Sequence, residues 1–349
     1  MKALVLRGHG DLSQLEVAEV PRPQLARDGD VLIRLSAAAL NHLDLWTIRG
    51  LPGLDLEFPH VLGGDGAGVI EEVGAAVKRL QPGQRVMLNP GVSCYDCEYC
   101  HAGEHSLCVT YRLLGEHLPG TVAEYIVVPQ QNVEQIPTPP APHPEITWAE
   151  AAAYSLVTIT AWRMLVTRAR VRPGETVLVW GVGGGVSSTA LRIAKLAGAR
   201  VIVTSSSDEK LARARELGAD ATVNHATGDA VKQVRALTGR RGADVVVDNV
   251  GEATWDQSLR LLAKGGRLVT CGATTGPKVG IDVRRLFWHQ WTIIGSTMGS
   301  HEEYSEIVRL LGQGQLRPLI DSTYPLDDAV QAVRRMEQGD QMGKIVIEI

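Results

Sequence analysis

One segment constrains this chain more than any other. Thr176-Val-Leu-Val-Trp180 runs straight into Gly181-Val-Gly-Gly184-Gly185-Val186-Ser187, and the helix-like SSTALRIAKLAGA opens directly behind. A buried strand that ends in glycines and turns at once into a helix lets backbone approach a pyrophosphate closely. The helix N-terminus then offers unpaired N–H groups to the phosphates. The context strengthens the reading. Strand-like ARVIVTSS, helix-like DEKLARARELGA and strand-like ADVVVDNVG follow, and LRLLAKGG and GRLVTCGA continue the alternation. Strands alternating with helices of this length predict an α/β chain with a doubly wound parallel sheet, and the glycine turn inside it predicts dinucleotide binding.

The next strand bears on which dinucleotide. A carboxylate at its end would hold the ribose 2′-OH of NAD. Here VIVT ends in Ser205, Ser206 and Ser207, and the first acids, Asp208 and Glu209, fall where the following helix begins. Serine and aspartate there also read as helix caps. Without the acid there is room for a 2′-phosphate, with serine hydroxyls as donors and Lys210 as counter-charge, so NADP(H) is expected over NAD(H).

At 349 residues two domains are expected. Residues 1–150 hold short apolar runs broken by Gly and Pro (VLIRLSAAAL, GGDGAGVIEEVG, AEYIVVP), which reads as a compact β domain. The proline-dense IPTPPAPHPEITW is an extended connector. Past about Ser300 come two helical patterns, EEYSEIVRLLGQG and LDDAVQAVRRMEQGD, and a closing strand, GKIVIEI. A net charge of -4 gives no reason to expect nucleic acid. No apolar run reaches the length of a membrane span, and the first residues lack a signal-like apolar core, so a cytoplasmic protein is expected.

Four of the five cysteines share one segment, GVSCYDCEYCHAGEHSLC. Cys94, Cys97, Cys100 and Cys108 stand in C-x2-C-x2-C-x7-C spacing, which suits a tetrahedral Zn2+ shell of four thiolates. Disulfides at this spacing would be strained, and the ferredoxin pattern would put proline after the last cysteine, where Val109 stands. Four cysteine ligands leave no open position, so one structural Zn2+ is expected, without a chemical role. Cys271 stands apart from this group.

The segments AAALNHLDLWTIRG, PHVLGGDGAGVIEEVG and TIIGSTMG, with the cysteine lobe and the glycine turn, make the chain resemble the medium-chain dehydrogenase/reductases. That family includes zinc alcohol dehydrogenases and quinone oxidoreductases. The resemblance implies a GroES-like catalytic domain over 1–152 with its zinc lobe at 91–110. It implies a Rossmann domain over 153–298, a return to the first domain over 299–349, and an active-site cleft between the two domains. By the same analogy His42, Thr160, Gly181, Gly184, Gly185, Val186, Ser205, Ser206 and Lys210 contact the cofactor. Asn249, Val250, Gly251, Cys271, Gly272, Ala273, Ser296 and Thr297 line the nicotinamide slot.

The alcohol dehydrogenases hold a second, catalytic zinc, and here the chain departs from them. Their first ligand position is Asn41, their second is Gly64, their third falls nearest Leu156, and their proton-relay hydroxyl falls at Leu43. Losing all of these removes the Lewis acid and its proton path. Asn41 in LNHLD looks like the quinone oxidoreductase branch, whose members work with NADPH and no catalytic metal, although those relatives generally lack the cysteine lobe. Asn41 is the expected catalytic residue, donating to a substrate carbonyl, and helix capping is its alternative role. Trp46 reads either as a pocket wall or as core. The expected function is hydride transfer from NADPH to a quinone, enone or other activated carbonyl. Two alternatives are an alcohol dehydrogenase with a metal on unusual ligands, among them His60, Asp65, Glu116 and His117, and an NADPH-binding protein with negligible turnover. Family habit adds a homodimer or homotetramer through the sheet edge near TIIGSTMG.

Overall fold

The computed structural model describes all 349 residues. The chain divides into two units, one of Met1–Val157 with Gly299–Ile349 and the other of Thr158–Met298. The first boundary falls later than the expected residue 152 because helix Trp148–Trp162 runs through it without a break. The connector before that helix is extended, as its prolines dictate.

The first unit is built around strand Asp30–Ala39. It pairs antiparallel with Asp65–Val73, with Tyr125–Pro129 and with the last strand of the chain, Lys344–Glu348. One side of this seven-stranded sheet buries Val31, Ile33, Leu35, Ile70, Val86, Leu88 and Ile126. A second core gathers Leu40, Leu45, Ile48, Leu62, Val333, Ile345 and Ile347. The alternation of VLIRLSAAAL supplies both sets, because successive side chains of a strand point to opposite faces. The three alanines Ala37, Ala38 and Ala39, all fully buried, keep this end of the strand slim where its neighbours close in. Ala39 is paired with Asp65 on one side and Val346 on the other. The ladder continues through the Leu40 N–H to the Ile345 carbonyl at 2.9 Å, which brings Lys344 beside Asn41. Strand Ile320–Pro325, which the sequence reading did not anticipate, runs parallel to this last strand. Its residues, IDSTYP, are too polar to advertise a strand.

The second unit is a six-stranded parallel sheet. Its order is Ala221–Asn224, Arg200–Ser205, Thr176–Val179, Ala243–Val247, Leu262–Thr270, Thr292–Gly295. Val177–Val179, Val201–Val203 and Val245–Val247 are fully buried, as strands covered on both faces must be. The order reverses between Thr176–Val179 and Ala243–Val247, the switch point at which such sheets take their ligands. Helix Val283–His289 escaped the sequence reading, being short and without a buried residue. The fold class is therefore the one expected: a Rossmann-type parallel sheet with a GroES-like β domain.

Candidate functional sites

In the parallel-sheet unit every residue expected at the cofactor lies at the carboxyl end of a strand or at a helix start, except Thr160, which sits in helix Trp148–Trp162. Gly181 follows Thr176–Val179 with φ +61, a left-handed conformation that favours glycine. Gly184 occupies the N-cap position of helix Gly185–Leu196 with no side chain capping it, and nothing lies within 4 Å of where a Cβ would stand. The helices beginning at Asp208, Ala230 and Val283 are instead capped by the side chains of Ser207, Asp229 and Asp282. The glycine turn thus leaves the amides of Gly185 and Val186 for an anion, which fits a pyrophosphate. Strand Arg200–Ser205 ends without a carboxylate. Ser207 takes the capping role and accepts the Lys210 N–H at 3.3 Å, while Asp208 is held by the Asn224 amide at 2.8 Å. Ser206 is exposed beside them. Asn249, Cys271 and Ser296 follow three successive strands at the same end of the sheet, and the Asn249 side chain accepts from Ser187 at 3.3 Å.

In the β unit the four cysteines converge beside the small hairpin of Gly91–Val92 and Arg112–Leu113, and their sulfurs all lie within 4.8 Å of one another. Sγ to Sγ is 3.5 Å for Cys94–Cys108 and 3.9 Å for Cys94–Cys100. A tetrahedral zinc with bonds of about 2.3 Å separates its sulfurs by about 3.8 Å, so the set fits the ion. The N–H groups of Cys94 and Asp96 point at the Cys108 and Cys94 sulfurs at 3.2 and 3.4 Å. Burial raises the Cys108 thiol, but donors from Cys94 and Thr110 outweigh it and bring it to about 6. A thiol so placed is ready to bind as thiolate.

A second polar cluster, wholly buried, lies in the same unit. Asn41, 5% exposed, starts helix His42–Arg49, and its backbone N–H donates to the Asp44 carboxylate at 2.7 Å. Its side-chain amide donates to Asp65 at 3.0 Å and to the Ala39 carbonyl at 3.3 Å. Its oxygen accepts from the Lys344 ammonium at 2.5 Å, and that ammonium also donates to Asp65 at 2.9 Å. The second Asp65 oxygen accepts the Leu156 N–H at 2.8 Å. Asp65 is fully buried and Lys344 is 3% exposed. The expectation that Asn41 donates to substrate is corrected here, since both amide hydrogens already have acceptors. The amide is used inside the protein because Asp65 and Lys344, one on each neighbouring strand, close around it.

Around this cluster the expected metal-ligand positions carry no ligand. A Cβ placed on Gly64 would stand 3.1 Å from Leu156 Cδ1, 3.3 Å from the Leu114 carbonyl and 3.8 Å from Pro90. The two positions pack on each other, so a side chain added at 64 has to displace Leu156. The relocated site does not assemble either. His60 bonds the Gly115 carbonyl, Asp65 is engaged as described, and His117 lies 3.5 Å from Glu116. The cysteines are the only group of three or more His, Cys, Asp or Glu residues that converges as metal ligands do.

Asp44 accepts the Asn41 and Gly63 N–H groups, and burial raises its carboxyl to about 6 against the pull of those bonds and of Lys344. It holds backbone in place. His42 sits edge-on to Trp46 at 5.3 Å, and its ring pKa is lowered by burial and then by Arg49. Its Nε2 is buried without a hydrogen-bond partner. Sequence reasoning missed Lys344 altogether, although it is the one cation in the apolar strand GKIVIEI. A groove of about 900 Å³ beside Phe58, Leu118 and Tyr125 touches none of Asn41, Asp65 and Lys344.

Comparison with known proteins agrees with this architecture. Residues 185–313 match the family described as zinc-binding dehydrogenase, and residues 27–138 match the alcohol dehydrogenase GroES-like domain. A zinc-type alcohol dehydrogenase-like protein of Schizosaccharomyces pombe is 33% identical, with 98% of each chain covered. A solved structure of an NAD-dependent alcohol dehydrogenase superposes with a TM-score of 0.94 at 44% identity, over 100% of both chains. The crotonyl-CoA carboxylase/reductase of Cereibacter sphaeroides is 29% identical, over 94% of this chain and 82% of its own.

Proposed function

The chain belongs to the medium-chain dehydrogenase/reductase family, as an alcohol dehydrogenase-like oxidoreductase, and from that premise we propose that it is an NADP(H)-dependent reductase of quinones, enones or other activated carbonyls. In this reading its cysteine lobe holds one structural zinc and no metal takes part in the reaction. The observation that carries it is the Asn41, Gly64 and Leu156 set, three non-ligating residues at the ligand positions of the zinc alcohol dehydrogenases, with Gly64 and Leu156 packed on each other. Without a cation to stabilise an alkoxide, the acceptor must be reactive on its own account. A relative named for crotonyl-CoA, an electron-poor alkene, supports that substrate class.

When bound, the reduced nicotinamide supplies the hydride. The chain's own residues position and shield. Gly181, Gly184, Gly185 and Val186 receive the pyrophosphate. Asn249, Val250, Gly251, Cys271, Gly272, Ala273, Ser296 and Thr297 bound the nicotinamide slot, with Thr160 near it. Ser205, Ser206 and Lys210 receive the 2′-phosphate, a preference supported by the carboxylate-free end of Arg200–Ser205. The NAD-dependent relative makes the opposite preference the alternative outcome. Titration with NADPH and NADH decides it, and Ser206→Asp should move the preference toward NADH by tenfold or more, about 1.4 kcal/mol.

Metal analysis and an acceptor panel test the reading together. The expected result is about one zinc per chain and NADPH oxidation with quinones or enones. About two zincs per chain, with oxidation of simple alcohols, would establish a zinc alcohol dehydrogenase on unusual ligands instead. Tight NADPH binding with no turnover would leave a binding protein. We also propose a second copy of the chain as partner, a homodimer or homotetramer. Strand Thr292–Gly295 is an edge strand, and helix Val283–His289 beside it in sequence exposes Val283, Phe287 and Trp288 at 61, 64 and 74%. Light scattering should give a multimer for the native chain and a smaller species for Trp288→Glu. Reduced thiols in a cysteine zinc site suit the cytoplasm as the compartment.

A further inference from the structure

Asp65 and Asp248 have no exposure at all, and only the first has a cation. Asp65 takes the Lys344 ammonium at 2.9 Å. Asp248 directly follows strand Ala243–Val247 in the parallel-sheet unit, where its N–H continues the ladder to the Val269 carbonyl at 3.0 Å. Its carboxylate accepts the Val250 and Gly251 N–H groups at 3.0 and 3.1 Å, the Thr254 hydroxyl at 2.9 Å and the Ser258 hydroxyl at 2.6 Å. Four donors are the partners a carboxylate demands, and no lysine, arginine or histidine is among them. Neutral dipoles stabilise such a charge without removing it, and in a dry interior its field is weakly screened. The field reaches Cys271, whose thiol is raised to about 12 by burial first and then by the Asp248 charge.

We propose that Asp248 sets the redox poise of the bound dinucleotide, its charge favouring the oxidised nicotinamide over the reduced one. This rests on the reading above of Asn249, Val250, Gly251 and Cys271 as residues of the nicotinamide slot. The carboxylate holds the first three from below in sequence and acts on the fourth through space. The oxidised ring is a cation and the reduced ring is neutral. When the reduced ring gives up a hydride with both electrons of its C–H bond, the acceptor is reduced and a positive charge appears on the ring. A fixed negative charge nearby favours that step and the form it leaves behind. The bland alternative is a purely structural one. Gly251 is the N-cap of helix Glu252–Leu261 and brings no side chain, so Asp248 could merely hold the turn and the helix start. The two roles differ in what they act on. A holding role serves both redox forms alike, whereas a field acts on the cation alone.

Two measurements on the zinc-loaded full chain separate these roles. The first titrates wild type and Asp248→Asn with NADP+ and with NADPH, or with the NAD pair if that is the preferred one. Asparagine keeps an oxygen for the two N–H groups and removes the charge. The variant should bind the oxidised form about tenfold more weakly and the reduced form within twofold of wild type. That change raises the potential of the bound couple by about 30 mV. Equal losses of both forms, or loss of neither, overturn the proposal. The second needs no variant, and so decides the matter even if Asp248→Asn fails to fold. Dinucleotide-free wild type is treated with a cationic and with an anionic alkyl thiosulfonate, and modification of Cys271 is followed by peptide mapping. Relative to a neutral thiol in solution, the cationic reagent should react about tenfold faster than the anionic one. Equal rates, or no reaction at a residue assigned to an open slot, overturn the proposal. If the wild type binds no dinucleotide at all, the proposed function itself falls. If it binds both forms and the variant loses them equally, only the role of Asp248 does.

Discussion

The cysteine lobe and the Asn41 cluster belong to the same unit, and both gather polar side chains around one point, yet by opposite means. The lobe draws its four ligands from a stretch of fifteen residues, Cys94 to Cys108, so their spacing alone brings the sulfurs together. The cluster draws on Asn41, Asp65, Leu156 and Lys344, four elements joined only by the sheet and its packing. In the lobe, soft sulfur donors converge in the spacing that suits a cation bound from outside the chain. In the cluster the cation is part of the chain, already paired with its carboxylate. The difference bears on how a sheet domain gathers polar groups. A locally encoded metal site depends on its ion for its local fold, while a site assembled by strand register depends on the pairing of distant strands.

The contrast is sharpest if the lobe loses a ligand. Cys100→Ser should abolish zinc binding and cost on the order of 5 kcal/mol, with rapid proteolysis within 91–110. Elemental analysis and a melting curve would check it, and retention of a full zinc complement would break the contrast. The cluster should behave as a charge pair. Asp65→Leu alone strands the Lys344 ammonium and should cost about 4 kcal/mol, most of it recovered when Lys344→Met is added. Denaturant titrations of the single and double variants give both values, and equal losses would mean that the pair does not act as a unit.

A third test asks whether the cluster can be turned into a metal site. Gly64→His drives a side chain into Leu156 and Leu114, so it should cost about 2 kcal/mol and leave the metal content at one ion per chain. A second bound zinc would erase the distinction between the regions. The smallest effect concerns pH. Burial raises Asp44 to about 6 from 3.8, so the folded state holds this proton more tightly than the unfolded chain does. The stability it contributes is present at low pH and is lost as pH rises through about 6, by about 1 kcal/mol between pH 5 and 7. Asp44→Asn should flatten that part of the pH profile, and an unchanged slope would point to another group.

Much of this was legible in the sequence because it is local. The glycine turn, the alternating strands and helices, the Ser207 cap and the cysteine spacing each lie within one short window, where a period or a motif can be recognised. That Asn41 and Gly64 carry no cysteine or histidine was also readable, since residue type needs no structure. What stayed hidden depends on distance along the chain. Lys344 reads as one charge in an apolar strand, and only the pairing of Val346 with Ala39 puts it against Asn41. Asp65 could be singled out as a potential ligand, but its partner lies 279 residues away. The role of Asn41 changed for the same reason, since its amide hydrogens are claimed by groups that no spacing rule connects. Strand Ile320–Pro325 and helix Val283–His289 were missed on another ground, for neither has the apolar face by which such elements announce themselves.

Lys344 follows Asn41 and Asp65 by 303 and 279 residues, and that order has a bearing on biosynthesis. A polypeptide growing on the ribosome holds Asn41 and Asp65 from early on, and the parallel-sheet unit can fold while translation continues. Until strand Lys344–Glu348 has cleared the exit tunnel, however, the Asp65 carboxylate has no countercharge and the sheet has an open slot beside Ala39. The first unit therefore completes its sheet only after the second has been synthesised, and this ion pair is among the last contacts to form.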